Sequence, residues 1–181
     1  RIGTFTYDRA SGAYGEWQTQ IDPNNEIGVY LQWLDMTHPI QPALNTQFSL
    51  AGLSWRHAFQ GEGTPIMTLG LYYGDDQERG KDPAVGRIIT GARATFERQL
   101  DIGARFISSL TYQQSKYGGE NIFFFRTRED KRTDLMLGLV FTPAKDVTVT
   151  PLYMYTRNDS NIPVVDFNRH QLYITVRRDF Y

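Results

Sequence analysis

Apolar and polar residues alternate with a period of two along nearly the whole chain, whereas a helical period of 3.6 is almost absent, which predicts strands. The clearest case ends at Phe141: Leu135, Leu137, Leu139 and Phe141 share one face, and Asp134, Met136, Gly138 and Val140 share the other. Val147, Val149, Pro151, Tyr153 and Tyr155 alternate in the same way with Thr148, Thr150, Leu152, Met154 and Thr156. Ile27, Val29, Leu31 and Trp33 alternate with Gly28, Tyr30 and Gln32; Met67, Leu69, Leu71 and Tyr73 with Thr68, Gly70 and Tyr72. Ile102, Ala104, Phe106, Leu110 and Tyr112 oppose Gly103, Arg105, Ser109, Thr111 and Gln113. At the C-terminal end Leu172, Ile174, Val176 and Phe180 oppose Tyr173, Thr175, Arg177 and Asp179. Ten strands follow, near 2–8, 14–21, 26–36, 45–59, 65–75, 87–99, 101–116, 130–142, 146–157 and 167–180.

The connections between them alternate in length. Long ones fall at 36–44, 75–86, 117–128 and 158–167, short ones at 22–25, 60–64, 99–101 and 143–146, and an intermediate one at 9–13. An even number of up-and-down strands, with short turns at one end and long loops at the other, is the layout of an outer-membrane barrel. Most of the strands reach the roughly 9–11 residues that a tilted span needs. The expected fold is therefore all-β: one antiparallel up-and-down transmembrane β-barrel over residues 1–181, of about ten strands or the C-terminal part of a larger barrel.

The polarity of the two faces argues for lipid outside. In a soluble sandwich or barrel the apolar face packs inward, and the solvent face is rich in Lys and Glu. Here the face opposite the apolar stripe carries Gly28, Gly70, Gly91, Gly103, Gly138, Thr68, Ser109 and Thr148, a small and polar set suited to a lumen. Tyr112, Phe141, Tyr153, Tyr155, Phe180, Trp33 and Tyr73 sit near the ends of the apolar stripes, where the two interfacial girdles of a barrel lie. The alternative is a soluble β-sandwich with those rings as its core. Closure also accounts for strands this polar, since in lipid every backbone group needs an internal partner and only a closed sheet has no edge. By loop length, the long connections and short turns are expected at the extracellular and periplasmic ends.

Composition narrows the function. The 181 residues carry a net charge of −1, which argues against a polyanion-binding module and hence nucleic acid. With no cysteine there is no disulfide scaffold, zinc-thiolate site or Cys nucleophile. No apolar run approaches 18 residues, so helical spans are excluded. Eleven tyrosines, eleven phenylalanines and three tryptophans are many for so polar a chain. Arg1, Ile2, Gly3, Thr4 and Phe5 show neither an initiator Met nor a targeting pattern, as expected of a mature form or the C-terminal piece of a longer protein.

Residues 156–163 (Thr-Arg-Asn-Asp-Ser-Asn-Ile-Pro), the Asp166, Phe167, Asn168, Arg169 group, and the closing Val176, Arg177, Arg178, Asp179, Phe180 resemble the end of the barrel in the surface lipoprotein assembly modifier family. Gly91, Ala92, Arg93, then Glu97 to Asp101, and residues 126–134 are similar too, so the likeness covers about 87–180. The resemblance implies a Gram-negative outer-membrane protein that helps a surface lipoprotein or secreted effector cross the outer membrane. Its surroundings would be membrane lipid, lipopolysaccharide and the barrel-assembly machinery. The family's periplasmic tetratricopeptide region has no counterpart in these residues, and its barrel has more strands than 181 residues supply.

The expected lumen-lining residues are Arg56, Arg87, Arg93, Glu97, Arg105, Asp134, Arg177 and Asp179. They either set a field that selects what passes, or form a salt-bridge network that fills a narrow barrel. Arg98 and Arg178 fall on the other face near strand ends, where long side chains reach the headgroups. His38, His57 and His170 raise the alternative of a lipid-modifying enzyme, but no serine is placed to pair with them, and no catalytic residue is assigned. Asn158, Asp159, Ser160, Asn161 and Asp166 offer oxygen ligands without the spacing of a calcium loop, so neither a metal nor a cofactor is expected. Translocation, with a passive pore or structural barrel as the alternative, is the functional expectation.

Overall fold

The computed structural model describes residues 8–80 and 82–180 of the 181. Among them are nine strands: β1 (Arg9–Asp22), β2 (Asn25–Thr37), β3 (Thr46–Ala58), β4 (Ile66–Glu78), β5 (Arg87–Gln99), β6 (Ala104–Asn121), β7 (Arg126–Ala144), β8 (Val147–Ser160) and β9 (Phe167–Arg178). Their only helical companions are two single 3-10 turns, Pro42–Leu44 and Pro163–Val165. Each strand pairs antiparallel with the next, giving one up-and-down sheet in the order β1 to β9. β1 and β9 form its edges and do not pair with each other, so the sheet is open.

Of the ten expected strands, the nine from 14–21 onward are present. The first, at 2–8, lies outside the described residues apart from Asp8. The stretch 9–13, expected to be a connection, is instead the first part of β1, paired from Arg9 opposite Thr37 through to Ala13 opposite Trp33. The 117–128 connection is mostly strand, because β6 and β7 run on to Asn121 and Arg126 and leave four residues as the turn. Asn121 makes that turn: its backbone carbonyl accepts the Phe125 N–H at 2.8 Å, its side chain accepts the Phe123 N–H at 3.0 Å, and Phe125 takes φ +53°. The turn expected at 99–101 falls at 100–103 and closes on Gly103 at φ +73°, where a side chain would be strained.

The two faces of this sheet are not covered by a second layer. Contacts between elements run from each strand to its sequence neighbour, with the Pro163–Val165 turn resting on β8. The described residues include only three buried apolar side chains, Ile89, Ala104 and Ile162, while Leu71, Ile174 and Leu172 are 63%, 75% and 82% exposed. A soluble domain depends on burying such groups.

Cross-strand partners share a face, so the register sorts the chain into two surfaces. One hydrogen-bonded row runs Gln18, Gly28, Ser54, Gly70, Arg93, Thr111, Asp134, Thr156, Arg169. The adjacent row, on the opposite face, runs Trp17, Val29, Leu53, Leu71, Ala92, Tyr112, Thr133, Arg157, Asn168. That second row starts apolar and ends polar, so the apolar belt does not follow the hydrogen bonds; it crosses them.

Candidate functional site

While other charges, among them Asp35, Arg98, Lys131 and Arg157, lie at the ends of the opposite face, the polar face collects the eight charged residues expected of a lumen. Arg56, Arg87, Arg93, Glu97, Arg105, Asp134 and Arg177 all lie on it, and Asp179 follows Arg177 just beyond β9. Most are tied into short ion pairs: Arg105 with Glu97 at 3.5 Å, Arg177 with Asp179 at 2.8 Å, Arg56 with Glu26 at 3.9 Å, and Arg87 with Asp76 at 3.3 Å. Asp134 takes a 2.8 Å bond from Arg132 and a 2.7 Å bond from the Thr156 hydroxyl. Arg93 differs from these. Among the described residues it has no carboxylate within ion-pair reach, and its Nε donates to the Ser109 hydroxyl at 3.2 Å. It borders a hollow of about 470 Å³ whose other walls include Glu16, Glu26, Tyr30 and Arg56.

Reading the sequence without register missed Glu26, Asp76 and Arg132 as partners. Arg132 was accessible, since it lies two residues from Asp134 and therefore on its face. Glu26 and Asp76 were not, because only pairing places Glu26 opposite Arg56 and Asp76 opposite Arg87. Two tyrosines were also missed. Tyr30 and Tyr72 lie across their cross-strand partners Gly52 and Gly91, whose missing side chains leave room for the rings. The Tyr72 hydroxyl then reaches the Gln113 side chain on the next strand at 3.2 Å.

The apolar face has its own regularity. The last aromatic of the apolar stripe toward the long connections is Trp33 in β2, Tyr73 in β4, Tyr112 in β6 and Tyr155 in β8. The row through Trp33 reaches β4 at Asp75, two residues beyond Tyr73. The row through Tyr73 reaches β6 at Gln114, two beyond Tyr112, and the row through Tyr112 reaches β8 at Arg157, two beyond Tyr155. The line of rings therefore slips two residues for every two strands. With about 3.3 Å per residue along a strand and about 4.8 Å between strands, one residue per strand is a slope of roughly 35° to the hydrogen-bonded rows.

The remaining candidate chemistry is dispersed. His170 Nδ1 is 2.8 Å from the Tyr153 hydroxyl, and its ring is 4.8 Å from that of Tyr155. His57 Nδ1 is 2.8 Å from Asn25 Oδ1, which also accepts the Trp55 indole N–H at 3.0 Å, and His38 lies 3.5 Å from Asp8. Among the described residues no serine hydroxyl bonds to any of the three, and Ser108 instead donates to the Phe96 carbonyl at 3.4 Å. The oxygen-rich 158–166 loop is engaged with its own chain. Asp159 pairs with Arg157 at 2.6 Å, and Asp166 accepts the Ser160 N–H at 3.4 Å. Asn161 accepts the Glu129 N–H at 2.9 Å and donates to the Thr127 carbonyl at 2.8 Å. No three His, Cys or acidic groups converge as metal ligands among the described residues. No protein-family model matches the chain, and no curated protein does either.

Proposed function

We propose that this sheet is the wall of a transmembrane β-barrel in a Gram-negative outer membrane, and that it assists the outward passage of a protein, a surface lipoprotein or secreted effector. The observation that carries the membrane part is the diagonal of Trp33, Tyr73, Tyr112 and Tyr155. A bilayer demands a belt of constant height. The girdle is level only if the strands lean by roughly 35°, within the approximately 35–45° at which membrane barrels hold theirs. The uncovered apolar face then meets hydrocarbon and the polar face borders the passage. The long connections and the β6–β7 ribbon would stand at the extracellular, lipopolysaccharide-bearing end.

Export draws its support from the likeness of residues 87–180 to the assembly-modifier barrel and from the character of the polar face. No bond chemistry is needed for it: side chains such as Arg93 and Tyr72 make transient polar contacts while the cargo moves. The ion pairs across that face favour a second reading, a structural or passively conducting barrel. Three measurements separate the possibilities. Loss of surface display of a reporter lipoprotein on deletion, with restoration by the wild-type chain, is the result expected for export. Unchanged display with steady ion conductance in planar bilayers overturns export in favour of a pore. Phospholipid or lipid A turnover that vanishes in His170→Ala overturns it in favour of an enzyme.

A further inference from the structure

β6 and β7 are 18 and 19 residues long, where the other seven strands have 12 to 14. Past Tyr117 and before Asp130 the two pair only with each other, as a ribbon that ends in the turn Ile122, Phe123, Phe124, Phe125. Neighbouring connections brace the base of this ribbon from both sides. The Gly118 N–H donates to the Gly86 carbonyl at 2.9 Å, and Asn161 bonds to Thr127 and Glu129. The tip is left bare. Ile122, Phe123 and Phe125 are 73%, 79% and 79% exposed, and Phe125 holds φ +53°, a conformation easy for glycine and costly for phenylalanine. Backbone strain and exposed rings at one turn mark a surface that meets something else.

We infer that this tip inserts into a lipid bilayer facing the long-connection end of the sheet, a second membrane rather than the one the sheet crosses. Three features choose lipid over a protein partner. The N–H groups of Phe123, Phe124 and Phe125 all bond to Asn121, through its side chain at 3.0 and 3.3 Å and its carbonyl at 2.8 Å. A turn with those amides already paired can leave water without stranding them. Its two exposed rings, at about 150–250 Å² each, fall short even with Ile122 of the roughly 800 Å² per partner that a stable protein interface buries. Arg126 directly follows the apolar run and is exposed, a cation suited to lipid phosphates. The choice of bilayer rests on the membrane reading above, which sets the interface at Tyr112. About 30 Å of strand separates Tyr112 from Asn121. On strands leaning roughly 35° the tip stands about 25 Å above the interface, clear of its own headgroup layer of about 5–8 Å.

The test places the natural full-length polypeptide in phosphatidylcholine nanodiscs and mixes these with separate vesicles of phosphatidylcholine and phosphatidylglycerol. The discs are expected to float with the vesicles. With the native tryptophans replaced by Phe, Phe123→Trp puts a fluorophore at the tip. Brominated lipid confined to the vesicles is expected to quench it, and brominated lipid confined to the discs is not. Phe125→Gly removes a ring while relaxing the backbone, so its result does not reflect a lost fold. That variant and Phe123→Ser are each expected to weaken flotation by about tenfold or more. Quenching by disc lipid instead overturns the inference in favour of a tip folded back onto its own membrane. Discs that stay down, with fluorescence that neither lipid quenches, overturn it in favour of a protein partner, and flotation unchanged in both variants overturns it as well. The membrane reading fails separately, if the wild-type polypeptide stays folded in buffer and does not enter discs. Quenching by vesicles is then measured on the soluble protein and decides insertion of the tip by itself.

Discussion

The ring of Tyr30 occupies the space directly above Gly52, its cross-strand partner, so closely that a methyl group on Gly52 would overlap the ring carbons and the hydroxyl. Gly52→Ala is therefore expected to displace Tyr30 and cost about 1–3 kcal/mol, the usual penalty for overfilling a packed site. Gly15→Ala is the matched control, since nothing lies within 4 Å of its added carbon. Urea midpoints of the refolded proteins, compared side by side, read the difference.

Leu137 and Arg105 test the assignment of the faces. Leu137 belongs to the apolar belt opposite Ser108 and Tyr153, whereas Arg105 lies on the polar face, half-exposed and 3.5 Å from Glu97. On the proposed membrane reading, Leu137→Arg would place a charge in hydrocarbon and should destabilise by about 2–4 kcal/mol near the midplane. Arg105→Leu forfeits one exposed ion pair, worth about 0–1 kcal/mol. Heat-modifiable mobility after refolding into lipid reports both, and equal damage from the two would reverse the faces.

The proposed level girdle makes a prediction about depth. With the native tryptophans replaced by Phe, a single Trp at position 33, 73, 112 or 155 should be quenched alike by lipids brominated at one depth near the interface. A Trp at 157 shares the hydrogen-bonded row of Tyr112 but lies two residues past Tyr155. On strands leaning roughly 35° it should sit about 5 Å higher and be quenched less by the same lipid. Quenching that follows the hydrogen-bonded rows instead would mean upright strands.

Asp22 gives a pH dependence at the short-turn end, beyond the belt. Its carboxylate accepts the backbone N–H groups of Asn24 and Asn25 at 2.8 and 2.9 Å as well as the Asn25 side-chain amide. The Asn24 N–H foremost, then the Asn25 amide, hold it below the usual aspartate range. A carboxyl whose pKa is lower folded than unfolded adds stability that is complete above the unfolded value of about 3.9 and is lost as the pH falls through the folded value. Asp22→Ala should flatten the dependence of the urea midpoint on pH below about 4 relative to wild type, and an unchanged slope would remove Asp22 as its source.

Several of these features are legible in the residue pattern itself. The alternation from Leu135 to Phe141 identified one face of β7, and the set from Arg56 to Asp179 was assigned to a common side from parity alone. Parity is local information: successive side chains of a strand point opposite ways whatever the neighbours do. Residues 9–13 and 117–128 were misread for a complementary reason. Gly12, Gly118 and Gly119, with the charged residues around them, look like loop composition, yet pairing with β2 makes 9–13 strand, and β6–β7 pairs on both sides of a register shift at 117–119 carry β6 on to Asn121. Tertiary context overrode propensity there.

The amino-acid order by itself determined that the chain is all-β, which side chains share a face, and where most strands turn, because a two-residue period and turn chemistry act over a few bonds. Only the tertiary structure decided that Glu26 meets Arg56, that Tyr30 covers Gly52, and that the rings from Trp33 to Tyr155 descend one residue per strand. Those relationships depend on register, and register is set by hydrogen bonds running across the strands, between residues with no fixed separation along the chain.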